Sequence, residues 1–207
     1  MNKSVLRIAA LLVCLLFAMA LVAGCGGGDK EPAAPSGAVN GAAPGDDFKE
    51  VDLSDVEVTE PAKTLAEQEK AWLNELTDMV KDLDELYDLT SVDAMLYANF
   101  IVRLNEIKPV FEEYKVTTDQ YLVEHNVAEA YKNDPLYTNG LVYGQKMREQ
   151  TDKFFTGVFE GVVDESGKTK DLSKQEVLEL YKETMVDNFN KYYRQLNNAL
   201  TRVEEAK

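Results

Sequence analysis

The sequence predicts an all-α protein: an antiparallel bundle of four to five helices preceded by a disordered tether. From residue 61 onward, apolar residues recur every three or four positions, which is typical of helices with one buried face. No stretch of that region alternates between apolar and polar residues as a half-buried strand would. A domain of this length, residues 61–207, buries about 70% of its unfolded surface and should fold without a partner.

The first predicted helix begins near Pro61. Thr64 and Glu67 have the spacing of a capping box, although Pro61 also favours a start one turn earlier. Its apolar face comprises Leu65, Trp72, Leu76, Met79, Leu83 and Leu86, flanked by Leu73, Val80 and Tyr87.

The second predicted helix begins after Leu89-Thr90. Its apolar face comprises Leu96, Phe100, Leu104, Ile107, Phe111 and Tyr114. Pro109 should kink this helix near Lys108 without ending it, because the apolar face continues beyond the proline. Val116-Thr117, followed by Gln120, predicts the start of a shorter third helix that ends near Lys132.

Asn133-Asp134-Pro135 predicts a break, with Asp134 as the next N-cap and Pro135 in the first helical position. The apolar face that follows comprises Tyr143, Met147, Thr151, Phe154 or Phe155, Val158 and Val162. Residues 164–171 are expected to form a polar loop around Gly167.

The last predicted helix has the clearest start, because Ser173 and Glu176 form a capping box between Leu172 and Val177. Its apolar face comprises Leu178, Tyr181, Met185, Phe189, Tyr192, Leu196, Ala199 and Val203.

Composition and charge narrow the function classes. The 207-residue chain is 45% hydrophobic and 29% charged, with a formal net charge of -15. This composition is globular. The acid excess argues against a nucleic-acid partner, since no basic surface is available to displace counterions from phosphates. Two cysteines are too few for a disulfide-stapled scaffold or a cysteine-based zinc site.

Residues 1–24 have the order of a removable secretory signal. Lys3 and Arg7 are followed by an apolar run, residues 8–22, that is too short to span a bilayer comfortably. The run ends in Leu21-Val22-Ala23-Gly24-Cys25, which resembles the lipobox of bacterial lipoproteins.

The resemblance implies cleavage before Cys25 and attachment of a diacylglyceryl group, with fatty acids such as palmitate, to its sulfur. It also implies a domain on the extracytoplasmic side of the cell envelope, at the outer membrane where the cell has two. Two acyl chains hold a protein at a membrane far more firmly than one. The alternatives are an ordinary secretory signal with a chance cysteine, and an uncleaved anchor helix.

Residues 25–60 are interpreted as the lipidated cysteine and a flexible acidic linker. Residues 26–45 are rich in glycine and proline and bury too little surface to offset their ordering entropy. Residues 46–60 place acids between Val51, Leu53, Val56 and Val58, so an extended segment lying along the domain is the alternative. If all of residues 26–60 are treated as coil, the root-mean-square distance between their ends is roughly 30 to 35 Å. The anionic domain should therefore stand away from an anionic bilayer surface.

The sequence contains no recognisable catalytic, cofactor or metal site, which leaves the lipidation of Cys25 as the only predicted site. A Gly-x-Ser-x-Gly elbow, a Cys-x-x-Cys-His haem motif and an Asp-x-Asp-x-Asp-Gly calcium loop are all missing. Gly167-Lys168-Thr169 resembles the end of a phosphate-binding loop, but it lacks the first glycine and the preceding strand. It is interpreted as a surface turn.

Three further features have two interpretations each. His125, the only histidine, is expected to be solvated or structurally hydrogen-bonded, with a metal or catalytic role alongside Glu124 or Glu129 as the alternative. Gly140 and Gly144 favour close helix packing, or else fraying of a first turn. The ten tyrosines suit a core boundary, or alternatively a ligand cleft or interface.

These observations lead to the hypothesis of a membrane-anchored lipoprotein that binds an envelope protein or a small ligand and has no enzymatic activity. A tethered domain gains effective concentration for partners at the same membrane. Two alternatives stay open. One is an envelope hydrolase that uses paired carboxylates in a helical cleft, and the other is a metal-binding or metal-delivery protein.

Overall fold

The computed structural model describes residues 48–90, 94–163 and 167–206, and it confirms the all-α prediction. The helices are α1 (Glu60–Thr90), α2 (Ala94–Glu124), α3 (Val127–Ala130), α4 (Val142–Phe159), α5 (Lys174–Tyr181) and α6 (Asn190–Glu205). Two π-helical segments, Tyr137–Leu141 and Lys182–Phe189, lead into α4 and α6. The predicted signal, Cys25 and the linker up to residue 47 lie outside the described residues.

Helix α1 begins one turn before the predicted Thr64 cap. The Thr59 hydroxyl oxygen accepts the backbone N–H of Ala62 at 3.2 Å, which makes Thr59 the capping residue. The Thr64 hydroxyl instead donates to the Glu60 carbonyl inside the helix. The earlier start that Pro61 favoured is therefore confirmed.

Helix α2 is longer than predicted. It continues through Pro109 and also through Val116-Thr117, so the predicted third helix start is wrong. The hydroxyls of Thr117 and Thr118 donate to carbonyls of their own helix, Glu113 and Lys115, and do not cap a new one. The helix ends just before Asn126, whose φ of 47° lies in the left-handed region.

The predicted break at Asp134 is confirmed. Its Oδ1 accepts the backbone N–H groups of Leu136 and Tyr137, at 2.8 and 3.1 Å, and so caps the helical stretch that follows. At the other end, α4 stops at Phe159, and the predicted core residue Val162 is exposed.

The segment predicted as a polar loop, residues 164–171, contributes one strand of a small antiparallel strand pair, and the other strand lies just before it. Strand β1 (Val162–Val163) pairs antiparallel with β2 (Thr169–Lys170), with Val162 opposite Lys170. Gly161 has a φ of 81°, and a Cβ there would lie 2.6 Å from the Lys170 carbonyl oxygen, so only glycine fits. Lys168 and Thr169 thus belong to a surface hairpin, as the surface-turn interpretation required.

The predicted apolar faces form the interior of the bundle. Every residue of the last predicted face is buried except Leu178, which is half-buried. The Ser173–Glu176 capping box is also present, with both reciprocal hydrogen bonds formed. Phe100, Phe154 and Tyr181 pack at the centre, with ring centroids 5.1 to 6.5 Å apart. Within the described residues, no helix is long and apolar enough to cross a bilayer.

Residues 48–59, called the strap below, belong to the folded domain. Leu53 is 3% exposed, and the backbone N–H of Val51 donates to Gln195 Oε1 on α6 at 3.0 Å. Assigning the whole of residues 25–60 to a flexible linker is therefore wrong for the strap. The alternative of a segment lying along the domain describes it better, although a hydrogen-bonded turn from Leu53 to Val56 interrupts the extended backbone.

Candidate functional site

A buried ion pair joins α1 to α4. Glu69 and Arg148 are 2% and 4% exposed, and Arg148 donates from both terminal nitrogens to the two carboxylate oxygens, at 2.8 and 2.9 Å. Bidentate pairing of this kind fixes the geometry of both side chains. Gly144 makes room for it, because a Cβ there would lie 2.1 Å from Glu69 Oε2.

Aromatic residues enclose the pair. The Arg148 guanidinium lies 4.9 Å from the Trp72 ring centroid, and the Tyr114 hydroxyl donates to the Trp72 carbonyl at 3.0 Å. Burial raises the pKa of Tyr114 to about 12, which keeps its hydroxyl a donor. Burial acts to lower the pKa of Arg148, but the charge and hydrogen bonds of Glu69 together with the contribution of Tyr114 outweigh it, so the pKa is raised. This enclosed, mutually neutralising pair connects helices and offers no free acid or base.

A cleft between α1 and α2 is the place where the hydrolase alternative would have to act. It has a volume of about 290 Å³ and contains a glutamate from each helix, Glu75 and Glu113. Both carboxylates are exposed to solvent. A general acid usually needs a desolvated carboxyl group, whose pKa burial raises, and neither residue has that environment.

A second cavity, the aromatic groove, lies where the start of α1 meets the end of α2 and α3. Its volume is about 540 Å³. The residues that line it are Thr59, Pro61, Thr64, Leu65, Tyr121, His125, Val127, Ala130, Tyr131 and Asp134. Most of these present apolar or aromatic surface, and two threonines and one carboxylate supply polar groups. This composition is typical of sites that bind organic ligands.

The aromatic walls of the groove are held by their neighbours. The His125 ring stacks on Tyr121, with centroids 3.9 Å apart, and Trp72 packs edge-on against Tyr121 at 5.1 Å. The Tyr131 hydroxyl donates to the Pro61 carbonyl at 3.1 Å, and burial raises the pKa of Tyr131. The groove is therefore largely formed before any ligand enters.

The structure supports the structural interpretation of His125. Its ring is exposed, and Nδ1 lies 3.0 Å from the Tyr121 carbonyl oxygen. Glu124 accepts from Gln120 at 3.1 Å, and Glu129 pairs with Lys132. Across the residues that the structure describes, no three histidine, cysteine or acidic side chains lie close enough together to hold a metal ion.

The tyrosines divide between the two interpretations. Tyr114, Tyr137, Tyr181 and Tyr192 are buried in the core, as the core interpretation requires. Tyr121 and Tyr131 are half-buried and line the aromatic groove. Sequence reasoning did not single out these two, because the groove depends on Pro61, which is 60 or more positions away in the chain.

Comparison with known protein families, with curated proteins and with solved structures gave no significant match.

Proposed function

We propose that this protein is a membrane-anchored lipoprotein of the cell envelope whose helical domain acts by binding, without catalysis. The observation that carries the binding part is the aromatic groove, where Tyr121, His125 and Tyr131 form preorganised walls around about 540 Å³. The anchoring part rests on the lipobox that ends at Cys25.

The placement of the acids favours binding over hydrolysis. Within the described residues, Glu69 is the one buried carboxylate, and Arg148 occupies both of its oxygens. The glutamates of the α1–α2 cleft, Glu75 and Glu113, are exposed to solvent and lie outside any desolvated environment. A filled core with outward-facing acids is compatible with a binding domain. It does not suit an acid–base enzyme, which needs a desolvated carboxyl group.

The chemistry of the groove indicates the class of ligand. Flat aromatic walls favour an apolar or cationic group, since the ring faces are electron-rich. Asp134 at the rim and the formal net charge of -15 disfavour an anionic ligand. The ligand is therefore a small organic molecule, or a side chain of an envelope protein, that presents an uncharged or cationic group.

Mutation of the lipobox cysteine tests the anchor. We expect wild-type protein to partition into the membrane fraction, with a diacylglyceryl adduct on the peptide that begins at Cys25. Cys25→Ser should abolish the diacylglyceryl adduct, because no thiol is then present to which acyl chains can be attached. Mass spectrometry of the N-terminal peptide checks the chemistry directly. An unmodified Cys25, or an intact leader, would contradict the anchor.

Substitution of the groove walls tests the binding site. In a screen of small aromatic and amine compounds, we expect ligands that stabilise the wild-type protein, by about 2.7 kcal/mol at a hundred times Kd. Tyr121→Ala should weaken binding at least tenfold, because it removes the ring on which His125 stacks. Thermal shift and calorimetry measure both effects.

Tyr193→Ala is the matched control, because Tyr193 is exposed on α6 and does not line the groove. It should bind the same ligands with unchanged affinity. If Tyr121→Ala bound them as tightly as the wild-type protein and Tyr193→Ala, the groove would not be the site.

A further inference from the structure

The outer side of α2 carries a line of exposed apolar residues. Nine large hydrophobic side chains are exposed in the part of the chain that the structure describes, and four of them lie on α2 at multiples of seven residues. Residues seven positions apart lie two turns apart on nearly the same side of a helix. With Pro109, which is also exposed, they form one continuous line, called the valine row: Met95, Val102, Pro109, Val116 and Val123.

The valine row faces solvent. Val102, Val116 and Val123 are 58%, 66% and 78% exposed. The buried Phe100 and the groove residue Tyr121 each lie two positions before a member of the row, and two residues turn an α-helix by about 200°. The row therefore points away from both the core and the aromatic groove. Single exposed apolar residues are ordinary, whereas a contiguous set marks an interaction surface.

The positions beside the row are acidic or uncharged. Residues three and four positions after a row member are its neighbours on the helix surface. Between Val102 and Val123 these positions hold six exposed residues, of which four are acidic and none is basic: Asn105, Glu106, Glu112, Glu113, Asp119 and Gln120. The valine row is thus an apolar line between two acidic borders.

Two of the border acids can pair with a partner without losing an existing ion pair. Glu106 and Glu112 each pair with a basic side chain of α2 itself, three or four positions away. Glu113 and Asp119 form no ion pair with any residue that the structure describes. Exposed ion pairs add little affinity but select the partner and its register, so the valines must supply most of the binding energy.

We propose that the valine row is a docking surface for a helix of another protein, one with apolar residues at seven-residue spacing between borders of lysine or arginine. From Val102 to Val123 the row is about 30 Å long, which a partner helix of about 20 residues covers. Seven residues fall about 20° short of two full turns, so the row winds slowly around α2. A helix that follows it crosses α2 with the left-handed twist of a coiled coil.

The charge of the borders disfavours two other occupants. A second copy of α2 would place acidic borders against acidic borders in either orientation, and like charges there are destabilising. An anionic bilayer would meet the same acids. A basic helix meets opposite charge along both borders. This inference depends on neither the aromatic groove nor the lipid anchor.

Two synthetic peptides of identical composition test the surface. One is a helix of about 28 residues with leucine at every seventh position and lysine three and four positions after each leucine. The other contains the same residues in an order without that spacing, and it measures the general attraction of a basic peptide to an acidic protein. The full-length protein is used in nanodiscs of zwitterionic lipid, or in solution if it proves to be unlipidated. We expect the patterned peptide to bind about tenfold more tightly by fluorescence anisotropy.

Matched variants place the binding on the row. The triple variant Val102→Ser/Val116→Ser/Val123→Ser should weaken binding of the patterned peptide about tenfold, to the level of the other peptide. Serine and valine have similar helix propensities, so the fold should be retained, and circular dichroism checks this. Val163→Ser, which changes an exposed valine of β1, should bind with unchanged affinity.

A charge variant tests the borders. Glu113→Gln/Asp119→Asn should weaken binding of the patterned peptide about threefold and make it less sensitive to salt, since it removes two border charges. Unchanged affinity and salt dependence in this variant would contradict the requirement for a basic partner.

Three other results would overturn the proposal. Equal affinity of the two peptides, or no loss in the triple serine variant, would show that the row is not the docking surface. A dimer of the full-length protein that the triple serine variant abolishes would assign the row to a second copy. Binding to anionic vesicles that the same variant abolishes would assign it to a bilayer.

Discussion

Arg148→Ala should lower the free energy of unfolding by about 3 to 5 kcal/mol, because it leaves the Glu69 carboxylate buried without a counter-charge. Glu69 is 2% exposed, and both of its oxygens accept from Arg148. The loss also removes the guanidinium that packs on the Trp72 ring. Urea denaturation followed by far-UV circular dichroism at neutral pH measures the change.

Two further variants test whether this loss of stability is specific to the buried pair. Lys153→Ala breaks the exposed pair with Glu183, whose nitrogen–oxygen distance is 2.6 Å, and should cost at most about 1 kcal/mol. The double variant Glu69→Leu/Arg148→Met removes both charges and should recover most of the loss, since two apolar side chains need no partner in the core. A loss for Arg148→Ala no larger than that for Lys153→Ala would show that solvent reaches the pair.

The all-α fold could be predicted because helix-forming sequences repeat their apolar residues locally. The face from Tyr181 to Val203 is buried throughout, even though the second π segment interrupts the α-helix between its ends. Caps were equally local: Asp134 and Ser173 each bind backbone N–H groups within three residues. The predicted helix start at Val116-Thr117 was wrong for the same reason, because a threonine followed by Gln120 resembles a cap even within a continuous helix.

The buried pair and the aromatic groove could not be predicted from local pattern. Glu69 and Arg148 are 79 positions apart in the chain, and nothing in the sequence states which helices touch. One signal was present: Glu69 lies between Leu65 and Trp72 at helical spacing, so a carboxylate falls on the apolar face of α1. A charged residue in that position needs a buried partner. The sequence does not show which residue that is, because only the tertiary fold brings Arg148 next to Glu69.

Gly144→Ala should destabilise the domain by about 3 kcal/mol, although alanine normally stabilises a helix relative to glycine. The added Cβ would lie 2.1 Å from Glu69 Oε2. The carboxylate cannot move aside without losing its two hydrogen bonds to Arg148. The substitution therefore combines steric overpacking with damage to the buried pair. Urea midpoints measure the loss.

Two other helix glycines provide the comparison. At Gly140 a Cβ would meet Ala199 Cβ at 2.4 Å, and alanine has no rotamer by which to withdraw, so Gly140→Ala should also destabilise. Adding Ala199→Gly should restore part of the loss by removing the clashing methyl group. Gly157→Ala should be the mildest, because its Cβ would meet only the end of the Leu180 side chain, which can rotate. Equal losses at Gly144 and Gly157 would mean that Glu69 is not held in place by Arg148.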